Sequence, residues 1–209
     1  MYIPPAFKED RIDVLHAAIR AAGPATLVSM TPEGLFASHA PLLLDPAPAP
    51  YGTLIGHLAK ANPHARLADQ SVQTLVIFHG PNSYITPSYY AAKQEHGKVV
   101  PTWNYVAIHA YGTLEMFDDP AALLDVVTRL TEHHEQPRAQ PWAVSDAPDG
   151  FVQGMLRGIV GIRLPIARLE GKVKMSQNRP ATDHAGVIAG LRQDGQDMVA
   201  EAVIAATGG

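Results

Sequence analysis

Residues Thr102 to Met116 constrain the fold of this chain more than any other stretch. Val106, Ile108, Ala110, Leu114 and Met116 share one parity, and Trp103, Tyr105, His109 and Tyr111 share the other. A repeat of two marks a β-strand whose successive side chains leave opposite faces. The first set reads as the interior of a barrel. The second is amphipathic and suits contact with a ligand or a partner.

The flanking segments predict short elements. Glu9 to Ala22 reads as a helix, with Ile12, Leu15, Ile19 and Ala22 on one face and Gly23-Pro24 as its stop. Ala25 to Met30 and Leu35 to Leu44 read as a hairpin around Thr31-Pro32-Glu33-Gly34, which has Pro and Gly where a turn favours them. A proline-rich loop follows from Asp45 to Gly52. Further strands are predicted at Thr53 to Leu58, Thr74 to His79, Ser83 to Thr86 and Ile159 to Leu169. Asn62-Pro63 has the form of an N-cap and a first helical proline, opening a short helix to about Asp69. Pro87 to Val100 reads as a short helix and a loop, Pro120 to His134 as a helix capped by Asp119, and Gly150 to Arg157 as a short helix. Two C-terminal helices are predicted at Ala185 to Arg192 and Asp197 to Ala205. Strand and helix do not alternate in a sustained way, which argues against a doubly wound parallel sheet. The expectation is an antiparallel β-barrel (α+β) with peripheral helices, one domain over residues 1–209 whose C-terminal helices occupy about 180–205.

Composition limits the function classes. Of the 209 residues, 46% are hydrophobic, which excludes wholesale disorder. Only 17% are charged, against about 25% in an average domain, which agrees with a surface partly covered in an oligomer. The net charge of −4 argues against a strongly basic nucleic-acid binder. The absence of cysteine excludes disulfides, thiolate zinc sites and a Cys nucleophile. No apolar run approaches the 18 or so residues of a membrane span. The first ten residues lack a signal-peptide pattern, so a cytoplasmic protein is expected. Glycine-rich nucleotide fingerprints, a Walker lysine, a Gly-x-Ser-x-Gly elbow and His-Glu-x-x-His are all missing. Ten histidines lack ligand spacing, so no metal site is assigned.

Three stretches crowd polar and aromatic residues together. Gly56 to Arg66 joins a strand end to a helix N-terminus, where unpaired N–H groups and His57, Lys60, His64 and Arg66 suit a phosphate. Its plain alternative is a capped surface helix. Val100 to Tyr105 offers the Trp103 ring and the Asn104 amide, a mix suited to a flat heterocycle with ring carbonyls; ordinary barrel packing is the alternative. Glu170 to Pro180 carries Lys172, Lys174, Ser176, Gln177, Asn178 and Arg179, either as a ligand loop or as a solvated connection.

Together with Met1 to Phe7, Gly56 to Pro63 and Gly80 to Pro87, Val100 to Tyr105 and Gly171 to Arg179 carry a joint resemblance to the PaiB family, bacterial FMN-binding negative transcriptional regulators. The resemblance implies an FMN-binding split β-barrel, usually a homodimer with FMN at the interface. It places the phosphate near Lys60, Ala61 and Asn62, with His57 and His64 nearby, and Trp103 and Asn104 near the ring system. Lys174, Ser176, Gln177 and Asn178 would reach the flavin from either subunit. The chain departs from the family pattern at Lys60, where arginine is common, and at Ala65, Tyr89 and Val173, where tryptophan is common. Lysine keeps the charge but loses the bidentate fork.

The resemblance implies a negative effect on transcription, yet no helix-turn-helix pattern is present, so direct nucleic-acid binding is not expected. An FMN-dependent oxidoreductase with a nicotinamide donor is the alternative, and it assigns no catalytic side chain because the flavin carries the chemistry. A haem-handling split barrel and a cofactor-free scaffold stay open beside it.

Overall fold

The computed structural model describes residues 1–208. In chain order the strands are β1 (Lys8–Glu9), β2 (Ala25–Thr31), β3 (Gly34–Ala40), β4 (Leu42–Asp45), β5 (Thr53–Ala59) and β6 (Thr74–Ile85). They continue with β7 (Thr102–Gly112), β8 (Glu115–Phe117), β9 (Ile159–Pro165) and β10 (Arg168–Lys174). The helices are α1 (Ile12–Ala21), α2 (His64–Leu67), α3 (Ala91–Glu95), α4 (Pro120–Glu135), α5 (Asp149–Leu156), α6 (Ala181–Gln193) and α7 (Asp197–Thr207). The chain divides into two compact units, residues 16–78 with 109–169 and residues 1–15 with 79–108 and 170–208.

In the first unit, β2 and β3 form the expected hairpin with Thr31 opposite Gly34. Gly34 takes φ +109°, a conformation that favours glycine. The Thr31 hydroxyl donates to the Gly34 carbonyl at 2.8 Å and closes the turn. Ala25, Leu27, Ser29 and Thr31 are buried in strict alternation. The returning strand is shorter than expected. Pro41 has no N–H for the ladder, so β3 ends at Ala40 and the chain restarts as β4. β4 pairs with β5, β5 with β9 over seven residues, and β9 with β8, all antiparallel. Leu54, Leu58, Ile162 and Leu164 of this sheet are buried, as are Leu123, Val126 and Leu130 of α4. The Asp119 carboxylate accepts from Ala122 N–H at 2.8 Å, capping α4 as its sequence predicts.

In the second unit the strand order is β1-β10-β7-β6. Two expected strands merge here. Gly80-Pro81-Asn82 does not end β6, because the β2 register stops at Ile77 and Pro81 lies beyond it. Two others split. The Thr102 to Met116 alternation breaks after Gly112, and Ile159 to Leu169 becomes β9 and β10 on either side of Ile166-Ala167. Lys172 and Lys174, expected in a loop, are therefore strand residues, with Lys172 opposite Lys8.

α6 begins four residues earlier than expected, directly after Pro180. α6 and α7 bury Val187, Leu191, Val199, Ala200 and Val203 against Ile85, Tyr90 and Met175. α6 packs closely because two of its residues lack a side chain. A Cβ on Gly186 would stand 1.9 Å from the Tyr89 carbonyl oxygen, and one on Gly190 would stand 2.2 Å from the Tyr89 ring. Gly186→Ala should therefore lower stability by about 1–3 kcal/mol despite its better helix propensity, read as a lower urea midpoint. A higher midpoint would show that backbone entropy outweighs the clash.

Candidate functional site

The sequence-predicted residues fall into two groups, one on each unit. His57, Lys60, Ala61, Asn62 and His64 lie in residues 16–78; Trp103, Asn104, Lys174, Ser176, Gln177 and Asn178 lie in residues 79–108 and 170–208.

In the first group the helix start differs from the sequence expectation. The Asn62 side chain accepts from His64 N–H at 3.0 Å. Ala65 N–H donates to the Asn62 carbonyl and Arg66 N–H to that of Pro63. The cap that makes Asn62 recognisable thus consumes the donors expected to be free for a phosphate. His64 is fully buried, and its two ring nitrogens meet Ser38 Oγ at 3.0 Å and Ser29 Oγ at 2.8 Å. Asn62 Nδ2 donates to the same Ser38 hydroxyl at 2.9 Å. Ser29 Oγ in turn lies 2.6 Å from Thr74 Oγ1. His64 ties α2 to β2 and β3, which is a structural task.

Lys60 and Ala61 are exposed. Lys60 and Arg66 line a cleft of about 360 Å³ with Met116, Phe117 and Val160. Ala61 is exposed beside it in sequence. His57 is half-buried on β5, and its Nδ1 is buried without a hydrogen-bond partner. Burial holds the His57 imidazole below its usual value.

The second group is built on β7 and the end of β10. Asn104 shares the parity of the inward residues and is fully buried. Its Nδ2 donates to Ser176 Oγ at 3.0 Å, and Ser176 Oγ–H donates to Asn104 Oδ1 at 3.1 Å. Ser176 carries φ +64°, unusual for a residue with a side chain. The His184 ring donates to its carbonyl at 2.8 Å. Lys174 Nζ donates to Thr102 Oγ1 and to the Trp103 carbonyl, both at 2.5 Å. Its pKa is lowered by burial first and then by Lys172 and Arg179. The Gln177 amide serves the backbone: Oε1 accepts from Met175 N–H at 2.6 Å, and Nε2 donates to the Val173 carbonyl at 2.5 Å. Asn178 is exposed and lines a small cleft with Asn104, Lys174, Ser176 and Arg179. Trp103 is 54% exposed and meets the Tyr84 ring edge-on at 6.2 Å.

Arg179, which is not among the residues expected to contact the flavin, lines the same cleft. Its guanidinium lies 4.5 Å from the centre of the Tyr90 ring. Its sequence proximity to Lys174 was the available signal.

The sequence profile of a family described as "Putative FMN-binding domain" matches residues 1–168. An uncharacterized protein of Aspergillus fumigatus is 35% identical, over 95% of this chain and 93% of its own. The protease synthase and sporulation protein PAI 2 of Bacillus subtilis is 31% identical, over 93% and 90%. Among solved structures, the conserved hypothetical protein Rv2991 of Mycobacterium tuberculosis superposes with TM-score 0.57 at 14% identity, covering 86% of this chain and 94% of that one. The flavocytochrome Anf3 of Azotobacter vinelandii gives 0.54 at 12%, covering 78% and 67%. The expected split-barrel class holds, as antiparallel sheets with helices rather than a closed barrel. No described helix is long and apolar enough to cross a membrane.

Two predictions follow from these contacts. Ser176→Ala strands the buried Asn104 amide and should cost about 1–3 kcal/mol, measured by chemical denaturation; an unchanged midpoint would show that the amide finds another partner. Burial also lowers the His64 pKa from its usual 6.5, so the unfolded chain takes up the proton first as pH falls. Its contribution is complete above about pH 6.5 and is lost as pH falls towards the folded value. Between pH 8 and 5 the wild type should lose more thermal stability than His64→Gln, which keeps an amide donor and acceptor. Parallel curves would refute the assignment.

Proposed function

The chain belongs to this FMN-binding domain family, and on that premise we propose that it binds FMN as a cofactor in a homodimer and acts as a flavin-dependent regulator of the PaiB type. The observation that carries the reading is the family match over residues 1–168, which includes both Gly56 to Pro63 and Val100 to Tyr105. The residues fit the group. Lys60 and Arg66 present cationic side chains to an open cleft, and His57 Nδ1 is an unsatisfied buried ring nitrogen. The reading assigns phosphate contact to Lys60 and Arg66. A partner copy contributes Lys174 and Asn178, because Ser176 and Gln177 spend their polar atoms within their own subunit. His64 and Asn62 hold the α2 segment in place behind Lys60.

FMN, when bound, supplies hydride and one-electron chemistry. The protein supplies orientation and exclusion of water. The net charge of −4 favours regulation through a protein partner over direct operator binding. The open Tyr84 and Trp103 edges, 48% and 54% exposed, favour a second reading as an oxidoreductase, since they can stack a second planar ring such as a nicotinamide.

Incubation with excess FMN followed by desalting should leave flavin absorbance near one per subunit. Lys60→Gln should release at least tenfold more flavin, as expected for loss of a charged phosphate contact. A colourless wild type would overturn the cofactor assignment. NADPH oxidation faster than that of free FMN would select the oxidoreductase reading.

A further inference from the structure

The cleft at the end of β10 has the features of a site for a small oxyanion. It is lined by Val100, Pro101, Thr102, Asn104, Lys174, Ser176, Asn178 and Arg179 and encloses about 110 Å³, the scale of one tetrahedral anion and its water rather than of a ring system. Its charge is one-sided. Lys174 and Arg179 both line it, and Lys172 lies two residues from Lys174 on the same strand. Among the described residues no carboxylate lies within ion-pairing distance of any of the three. The neighbouring buried acid, Asp183, accepts from Ala92 N–H at 3.1 Å through Oδ1, and its Oδ2 is buried without a hydrogen-bond partner. Lys172 instead faces the Tyr105 ring at 5.1 Å and donates to the Tyr2 carbonyl at 3.2 Å.

Three cations close together without an ion-paired acid repel one another unless an anion joins them. The polar wall is held in place beforehand. Asn104 and Ser176 are buried and locked to each other, and Ser176 is kept in a left-handed conformation. Lys174 spends two of its three protons on Thr102 and Trp103, which leaves the third for a ligand. Arg179 adds a planar fork suited to two oxygens of one phosphate.

We propose that this cleft binds a phosphate-type oxyanion through Lys174, Arg179 and Asn178. The inference stands on the cleft alone, although the flavin reading draws on some of the same residues. The anion is either a free or small-molecule phosphate or the phosphate of FMN itself, and the second outcome would replace Lys60 and Arg66 as its contacts.

The test titrates flavin-free protein with inorganic phosphate at fixed ionic strength, against chloride, and follows the melting temperature and phosphate binding by calorimetry. Phosphate should raise the melting temperature of the wild type by several degrees. Lys174→Met and Arg179→Gln should each weaken binding at least tenfold. Because Lys174→Met also loses the hydrogen bonds to Thr102 and Trp103, the phosphate-induced shift of each variant is read against its own phosphate-free melting temperature. No phosphate effect in the wild type, or an equal effect in both variants, would overturn the proposal. Displacement of phosphate by FMN but not by riboflavin would identify the flavin phosphate as the occupant. Displacement by neither would identify a separate oxyanion. A protein that retains no FMN yet binds phosphate here would refute the flavin reading and leave this one standing.

Discussion

The reciprocal hydrogen bonds between Asn104 and Ser176 are the constraint on which the polar end of the second unit depends. A buried primary amide is costly unless both its ends are used. One hydroxyl serves both ends here, accepting from Nδ2 and donating to Oδ1. That arrangement holds Ser176 at φ +64° and turns the chain out of β10 towards α6. Lys174 and Arg179 stand on either side of the turn and so face the same cleft.

The two units treat charge differently. In the first, the exposed cations of the sheet and of α4 have acids beside them: Arg129 meets Asp45 and Asp125, and Arg163 meets Glu115 at 2.6 Å. Such pairs are worth little individually but balance the charge around Arg129 and Arg163. In the second, the Met1 ammonium pairs with Glu170 and Lys8 with Asp10, while Lys172, Lys174 and Arg179 lack acids. The imbalance is local, and a net charge of −4 for the whole chain conceals it.

Much of this was legible in the residues. The β2–β3 hairpin, the Asp119 cap and the parity of β7 follow from local rules that packing did not override. Asn104 shares the parity of the inward residues, a signal that its reading as a ligand contact leaves unused. Pro81 misled because a proline inside a strand is harmless where one ladder has already ended, and that depends on β2, which is remote in sequence. Glu170 to Lys174 resembled a loop because two lysines look solvated, yet pairing with β1 makes the segment a strand. At Asn62 the right inference carried the wrong corollary: an asparagine that caps a helix leaves fewer N–H groups for anything else.

β10 also bears on what counts as the domain. The recognisable family segment ends at residue 168, where β10 begins. Yet β10 is the strand that β1 pairs with, and it leads into the helices that cover Ile85 and Tyr90. A polypeptide trimmed to the recognisable segment would expose that apolar layer and strip β1 of its neighbour. The portion of this chain that sequence comparison identifies is therefore smaller than the portion that must be synthesised before its N-terminal residues have anywhere to fold.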